Sequence, residues 1–443
     1  EPGMGVLCHV TSLPNEGRPG TLGAPARRFV DWLAECGQTY WQVLPINPAD
    51  GYGSPYAGLA AFAGNACLLE KDPEDVLAEL KDADDDPDYQ AFLEKNKYWL
   101  TPYATFRAIK DLLGEGPWQE WPDAYARFSP GLARRVELAD GVDRHRKLQY
   151  EFQREWDELR AYANARGIKI VGDMPMYVSG DSADVWAERD IFELDEKGYA
   201  QVQAGCPGDG FDPEGQLWGN PTYRWDVLAA RGYDWWLARL ERAVKTYDYV
   251  RLDHFIGFSS YYKIAKGKPA REGSFSFGPG LDLFRAAYQK LGPLPFIAED
   301  LGVITPAVRT LIAETGIPGM DIVQFSDGDV REGYEPKPGT VTFTGTHDNQ
   351  TLLGFCQSRF GLEGDEAAQM ADRIAASVLG SKNDVAIMPL QDVLGLDDAA
   401  RMNVPGVAEG NWSWQAAWED VVAATGRLTQ MAQASGRFRE ASA

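Results

Sequence analysis

The chain has 443 residues, 44% of them hydrophobic, and a formal charge of −23. That is apolar material for a large core, and so acidic a surface repels phosphate backbones, which argues against nucleic acid and anionic membrane as partners. No run of 18 or more apolar residues occurs, so no transmembrane helix is expected.

The chain begins EPGMGVLCHV, without a basic segment followed by an apolar one, so no secretory signal is expected there. Five cysteines (Cys8, Cys36, Cys67, Cys206 and Cys356) are widely spaced and form no CxxC. That predicts thiols in a reducing cytoplasm rather than disulfides or a zinc site. The first strand is read at 5–13, GVLCHVTSL, and the second at 39–48, TYWQVLPINP. Further strands follow at 167–178, 247–255, 295–302, 319–325, 340–349 and 384–395, which makes eight. Helices fall between them. APARRFVDWLAECG sets Phe29, Val30 and Leu33 on one face and stops at Gly37. EFQREWDELRAYANARG ends at Gly167, and TPAVRTLIAETG opens with Thr305 as its cap and Pro306 in its first turn. Apolar strands alternating with helices predict a parallel sheet covered on both faces, and eight of them predict an α/β fold, the (β/α)8 TIM barrel.

The beat is broken at 51–150, which is rich in aromatics and helical periodicity and is read as an inserted, mostly helical subdomain. Residues 1–50 and 151–443 then form the barrel, with loop insertions at 203–221 and 263–280 near the C-terminal face. The first of these is Gly/Pro-rich and carries Trp218, which suits a lid or substrate wall.

Three acids end three strands: Asp253, Glu299 and Asp348, separated by 46 and then 49 residues. In a barrel these converge on one cavity at the C-terminal strand ends. Three carboxylates suit retaining glycoside chemistry. One attacks, one protonated partner roughly 5–5.5 Å away donates to the leaving oxygen, and a third holds hydroxyls; the spacing leaves the roles open. Arg251 is placed to offset charge beside Asp253. A single strand-end acid is more often a helix cap or an ion-pair partner, but two of these touch His254 and His347, half of the four histidines. Histidine with carboxylate is also a metal-ligand set; the His-x-His of metal-dependent barrels is missing, His9 standing alone, so no metal is expected. Trp218 and Tyr56, in Gly/Pro-rich turns, are read as platforms for sugar faces. Cys206 and Cys356 have no adjacent base and are read as packing residues.

The segments TSLP, WQVLPINP, GYGSPY, AFAGN, GDMPMYVSGDSADVWA, GQLWGNPTY, VRLDHFIGF, AEDLG, GTHDN and MNVPGVAEGNWSW occur in this order. They resemble the amylomaltase family of 4-α-glucanotransferases, of the α-amylase-related retaining glycosidase clan, over nearly the whole chain. The resemblance implies that Asp253 is the nucleophile, Glu299 the acid/base and Asp348 the transition-state stabiliser. It implies sugar binding by Tyr56, Asp173, Trp218, Asn220, Arg251, His254, His347 and Asn349. The implied reaction transfers α-1,4-glucan segments between maltooligosaccharides, maltodextrins or starch-derived glucans through a glycosyl-aspartate, without metal or organic cofactor. A cytoplasmic monomer or homodimer is expected.

Four sites depart from the family pattern, one of them a pair of residues and one a short segment: Ile256 and Gln415 stand where Arg is usual, Phe275 with Phe277 where a Trp is usual, and CPGDGF where Pro-Pro is common. They bear on acceptor preference, glucan length and the balance of transfer against hydrolysis. An α-glucan hydrolase of the same clan is the alternative. A catalytically silent glycan-binding protein is a third reading, against which the intact acids argue. Transfer requires that water be kept from the anomeric carbon, and the 203–221 segment is expected to do this.

Overall fold

The computed structural model describes residues 1–51, 53–208 and 212–441. Twelve strands lie within these residues: β1 (Gly3–Leu7), β2 (Tyr40–Gln42), β3 (Lys169–Met174), β4 (Val202–Cys206), β5 (Gln216–Pro221), β6 (Tyr249–Leu252), β7 (Ser260–Ala265), β8 (Ser274–Phe277), β9 (Phe296–Ala298), β10 (Met320–Ile322), β11 (Val341–Phe343) and β12 (Val385–Pro389).

Eight of them form one parallel sheet in the order β10-β11-β12-β1-β2-β3-β6-β9. A parallel bridge from Ala298 to Gly319 joins its two ends and closes the ring. The chain is therefore a (β/α)8 barrel; seven of its eight strands lie within stretches the sequence marked, and β1 begins two residues before the first of them, at Gly3. The strands are shorter than those stretches. Val10–Ser12, Val323–Phe325 and Leu390–Val393 have turned helical.

Alternation along the strands sorts side chains into two cores. Leu7, Tyr40, Val171, Ile297 and Ile387 point into the barrel. Val6, Trp41, Ile170, Phe296 and Ala386 point outward and meet the helices in a second, larger cluster. Helix ends follow local chemistry. The Thr305 hydroxyl accepts from the Val308 amide at 3.3 Å, and Gly316 closes that helix at φ 65°, a left-handed geometry that glycine adopts without strain.

Residues 203–221 and 263–280 are not loops throughout. β4 and β5 form an antiparallel pair, β7 and β8 another, and β4 pairs with β7, giving a separate sheet ordered β5-β4-β7-β8 beside the barrel mouth. Strand pairing replaces the expected loops because the backbone groups of both insertions find partners in each other. Residues 209–211, in CPGDGF, lie outside the described residues.

The stretch 51–150 contains the helices Pro73–Glu79 and Pro87–Leu113, and Ala139–Ala165 runs through position 150 into β3. Trp99, Phe106 and Trp156 from these helices belong to the same apolar cluster as the outer face of the barrel.

Candidate active site

β3 and β6 lie side by side with Asp173 opposite Arg251. Both side chains point into the barrel and are almost fully buried, at 2% and 4% exposure. Arg251 Nη1 lies 3.0 Å from each carboxylate oxygen of Asp173. The Tyr56 hydroxyl donates to Asp173 Oδ2 at 2.5 Å. A buried charge pair is tolerated when its remaining donors and acceptors are also engaged, and this floor meets that condition.

The same guanidinium reaches two of the three strand-end acids. Nη1 lies 3.4 Å from Asp253 Oδ1, and Nη2 lies 3.9 Å from Glu299 Oε1. Backbone bonds set the spacing of their carriers: the Asp253 amide donates to Met174, and the Glu299 amide to Leu252, both at 3.0 Å. β6 ends abruptly because His254 is left-handed, at φ 50°. Histidine tolerates that region better than most residues, and the turn lets Asp253 and His254 both face the cleft.

Asp348 stands on the facing wall. His347 Nε2 lies 3.2 Å from its Oδ2, and Asn403 Nδ2 donates to its Oδ1 at 2.7 Å. The Tyr56 ring stacks on His347 with centroids 4.7 Å apart and planes 16° apart. Trp412 leans on both rings, at 5.8 Å and 5.9 Å. On the other side Trp218 stands edge-on to His254 at 5.1 Å. These groups line a cleft of about 1700 Å³, mouth included.

The acids differ in their electrostatics. Burial raises Glu299 well above the usual carboxyl range; Arg251 opposes this, while Asp253, Asp300 and Asp348 reinforce it. Its Oε2 is buried and has no hydrogen-bond partner. Asp348 loses part of its hydration inside the cleft, which raises it, but His347, Asn403 and Arg251 outweigh this and hold the carboxyl well below its usual range. Burial raises Asp173 against the pull of Arg251. It lowers His254, against Asp253. One acid is thus biased to hold a proton and another to stay ionised, so neighbouring carboxyls in one cleft are set apart by their surroundings. Among the described residues, no group of three or more His, Cys, Asp or Glu side chains is arranged to hold a metal ion.

Of the residues marked in the sequence, Tyr56, Trp218, Asn220, Asp253, His254, Glu299, His347 and Asp348 line the cleft. Asp173 and Arg251 lie beneath it. Asn349 turns away: its Oδ1 accepts from the Thr346 amide at 2.8 Å and the Thr346 hydroxyl at 2.9 Å, bracing the turn that presents Asp348. Among the departures, Ile256, Phe275 and, from CPGDGF, Cys206, Pro207 and Gly208 line the cleft. Gln415 does not; its amide donates to the carbonyls of Leu13 and Arg18, both at 2.9 Å. Asn403, Trp412 and Tyr177 line the cleft without having been marked. Trp412 could have been found by the reasoning applied to Trp218, since it follows a Gly-rich turn; Asn403 carries no such signal.

A family model described as 4-alpha-glucanotransferase matches residues 8–86 and 74–420. The chain is 39% identical to a 4-alpha-glucanotransferase of Streptococcus pneumoniae serotype 4, covering 93% of this chain and 92% of that protein. It is 38% identical to a 4-alpha-glucanotransferase of Thermus thermophilus, covering 98% and 99%. The structure of the amylomaltase from Streptococcus agalactiae in complex with acarbose superposes with a TM-score of 0.89 at 34% identity, covering 99% of this chain and 100% of that one.

Proposed function

The chain belongs to the 4-alpha-glucanotransferase family, and from that premise we propose that it moves α-1,4-glucan segments between maltooligosaccharides by double displacement in the cleft described above. The observation that carries this reading is the shared guanidinium. Arg251 reaches Asp253 at 3.4 Å and Glu299 at 3.9 Å, so both acids border one sugar-sized space.

In the first step an Asp253 oxygen attacks the anomeric carbon, while Glu299 gives its proton to the departing glycosidic oxygen. The bond from carbon to that oxygen breaks, a glycosyl ester forms on Asp253, and the reducing-end fragment leaves with a free 4-hydroxyl. In the second step Glu299, now a carboxylate, takes the proton from the 4-hydroxyl of an acceptor glucan. That oxygen attacks the anomeric carbon and the ester bond to Asp253 breaks. Asp348 accepts hydroxyls of the same ring and offsets its positive charge. Tyr56, Trp218, Asn220, His254 and His347 hold the glucan, and the Asp173–Arg251 pair fixes the floor.

The sheet β5-β4-β7-β8 limits the entry of water to the ester, so that a sugar reaches it first. Residues 51–150 act as an insertion that supplies Tyr56 to the cleft. Buried thiols at Cys8, Cys36 and Cys356 support a reducing, cytoplasmic setting.

Chromatography of products from maltotriose tests the reading. A ladder of longer oligomers is expected; maltose and glucose alone would mean hydrolysis instead.

A further inference from the structure

The loop after β12 returns to the cleft and closes on itself. The Trp412 amide donates to the Met402 carbonyl at 2.7 Å, and the Val404 amide donates to Asn411 Oδ1 at 2.9 Å. This places Asn403 against Asp348, 55 residues earlier in the chain, with its Nδ2 2.7 Å from Oδ1. Arg401 fastens both partners. Its Nη2 donates to the Asp348 carbonyl at 2.7 Å and its Nε to the Asn403 carbonyl at 2.9 Å.

The two oxygens of Asp348 are thereby held from opposite sides, Oδ1 by Asn403 and Oδ2 by His347 Nε2 at 3.2 Å. Each oxygen keeps a lone pair for a further donor. A carboxylate gripped in this way presents two acceptors in a fixed plane, which matches two neighbouring hydroxyls of one ring. The Asp348 side chain is otherwise 46% exposed and would sample several rotamers.

We propose that Asn403, seated by Arg401, is a positioning residue that sets the carboxylate plane of Asp348 for the hydroxyls of the transferred glucose. The assignment rests on the glucan-transfer reading above. Among the described residues, Asn403 and His347 supply the hydrogen bonds to the Asp348 carboxylate; Arg251 and Glu299 interact with it through charge.

The test compares Asn403→Ala, Asn403→Asp and Val407→Ala in the full chain, with maltotriose as both donor and acceptor. Val407 is an exposed residue of the same loop. Asn403→Ala should lower kcat about 10- to 100-fold, the range for losing one hydrogen bond to a charged group, with a smaller change in KM. The acid limb of its pH profile should move to higher pH, because a donor that favours the ionised carboxyl is gone. Asn403→Asp removes the same donor, adds a like charge, and should fall further with the same direction of shift. Val407→Ala should match the wild type. If both Asn403 variants retain melting temperature and kcat within about threefold, or lose kcat with an unmoved acid limb, the assignment is overturned. Wild-type chain that yields only maltose and glucose would overturn the transfer reading instead, and leave the response of kcat to Asn403 to be read on hydrolysis.

Discussion

Arg251 and Asp173 face each other across β6 and β3, with both carboxylate oxygens 3.0 Å from one guanidinium nitrogen. Neither side chain is open to solvent, so the pair is the rigid floor on which Asp253 and Glu299 are spaced. Replacing Arg251 with Ala leaves a buried carboxyl unpaired and should cost about 3–5 kcal/mol of stability. Arg251→Lys should retain charge but lose the fork that reaches Asp173, Asp253 and Glu299 together. Denaturant unfolding and kcat measured on both variants check this; a lysine variant of undiminished kcat would show that the fork is dispensable.

Roles of the two acids separate with a donor whose leaving group needs no proton, such as a maltosyl fluoride. Asp253→Asn should lose about 10⁴-fold or more in rate with any donor, since an amide forms no ester. Glu299→Gln should still react with the fluoride and accumulate a glycosyl adduct, seen as a mass gain on the protein. An adduct on the Asp253→Asn variant would refute the nucleophile assignment.

The alkaline limb of kcat/KM should report loss of the Glu299 proton and lie above the ordinary carboxyl range, because burial raises this group. Asp300 is among the neighbours that push it up. Removing that charge in Asp300→Asn eases ionisation of Glu299, so the limb should move to lower pH, by less than about one unit. Initial rates across pH with the two chains decide the direction.

His254 has no spare room behind it. A Cβ on Gly257 would sit 2.7 Å from His254 Cδ2. Gly257→Ala should therefore push the ring toward Trp218 and lower kcat/KM about tenfold or more, with a modest effect on folding. Trp218→Ala should instead raise KM, as a stacking wall is lost. Steady-state kinetics on maltotriose distinguishes the two patterns.

His9 lies behind the site. It is 8% exposed, and its Nδ1 accepts from the Leu44 amide at 3.2 Å. Burial, aided by His347, lowers it to about 3. The folded chain keeps this ring neutral while the unfolded chain protonates it below about pH 6.5. Its contribution is complete above that value and is lost as pH falls toward 3, amounting to about 2–3 kcal/mol at pH 4.5. His9→Gln should narrow the gap between melting temperatures at pH 7.5 and 4.5. An unchanged gap would mean that His9 is not the acid-sensitive group.

The eight barrel strands were legible because each pairs an apolar run with a polar end, a pattern set by local burial. The acids were legible for the same reason, as polar residues at the mouths of strands. The second sheet was not. β5 is exposed along most of its length, so it has no alternation to read, and β4 finds β7 far along the chain. The bracing bond of Asn349 was not legible because an Asn beside an acid can either bind a ligand or brace its own turn, and only the fold shows that its Oδ1 holds Thr346. Asn403 was invisible for the opposite reason: its importance comes from a partner in a distant unit. Gln415 shows that a departure from a family pattern can be absorbed by backbone carbonyls outside the cleft.

Closure of the ring depends on a missing methyl group. Between Ala298 and Gly319 only an isolated bridge spans the gap, and a Cβ on Gly319 would fall 2.1 Å from Asp300 Oδ2. That carboxylate also accepts the Met320 amide at 3.0 Å, through Oδ1, and its neighbour in the chain is Glu299. A side chain at position 319 would wedge apart the thinnest stitch of the cylinder, and the displacement would pass first through Asp300 to Glu299. A glycine that never meets the sugar thus helps to hold the reacting groups in place.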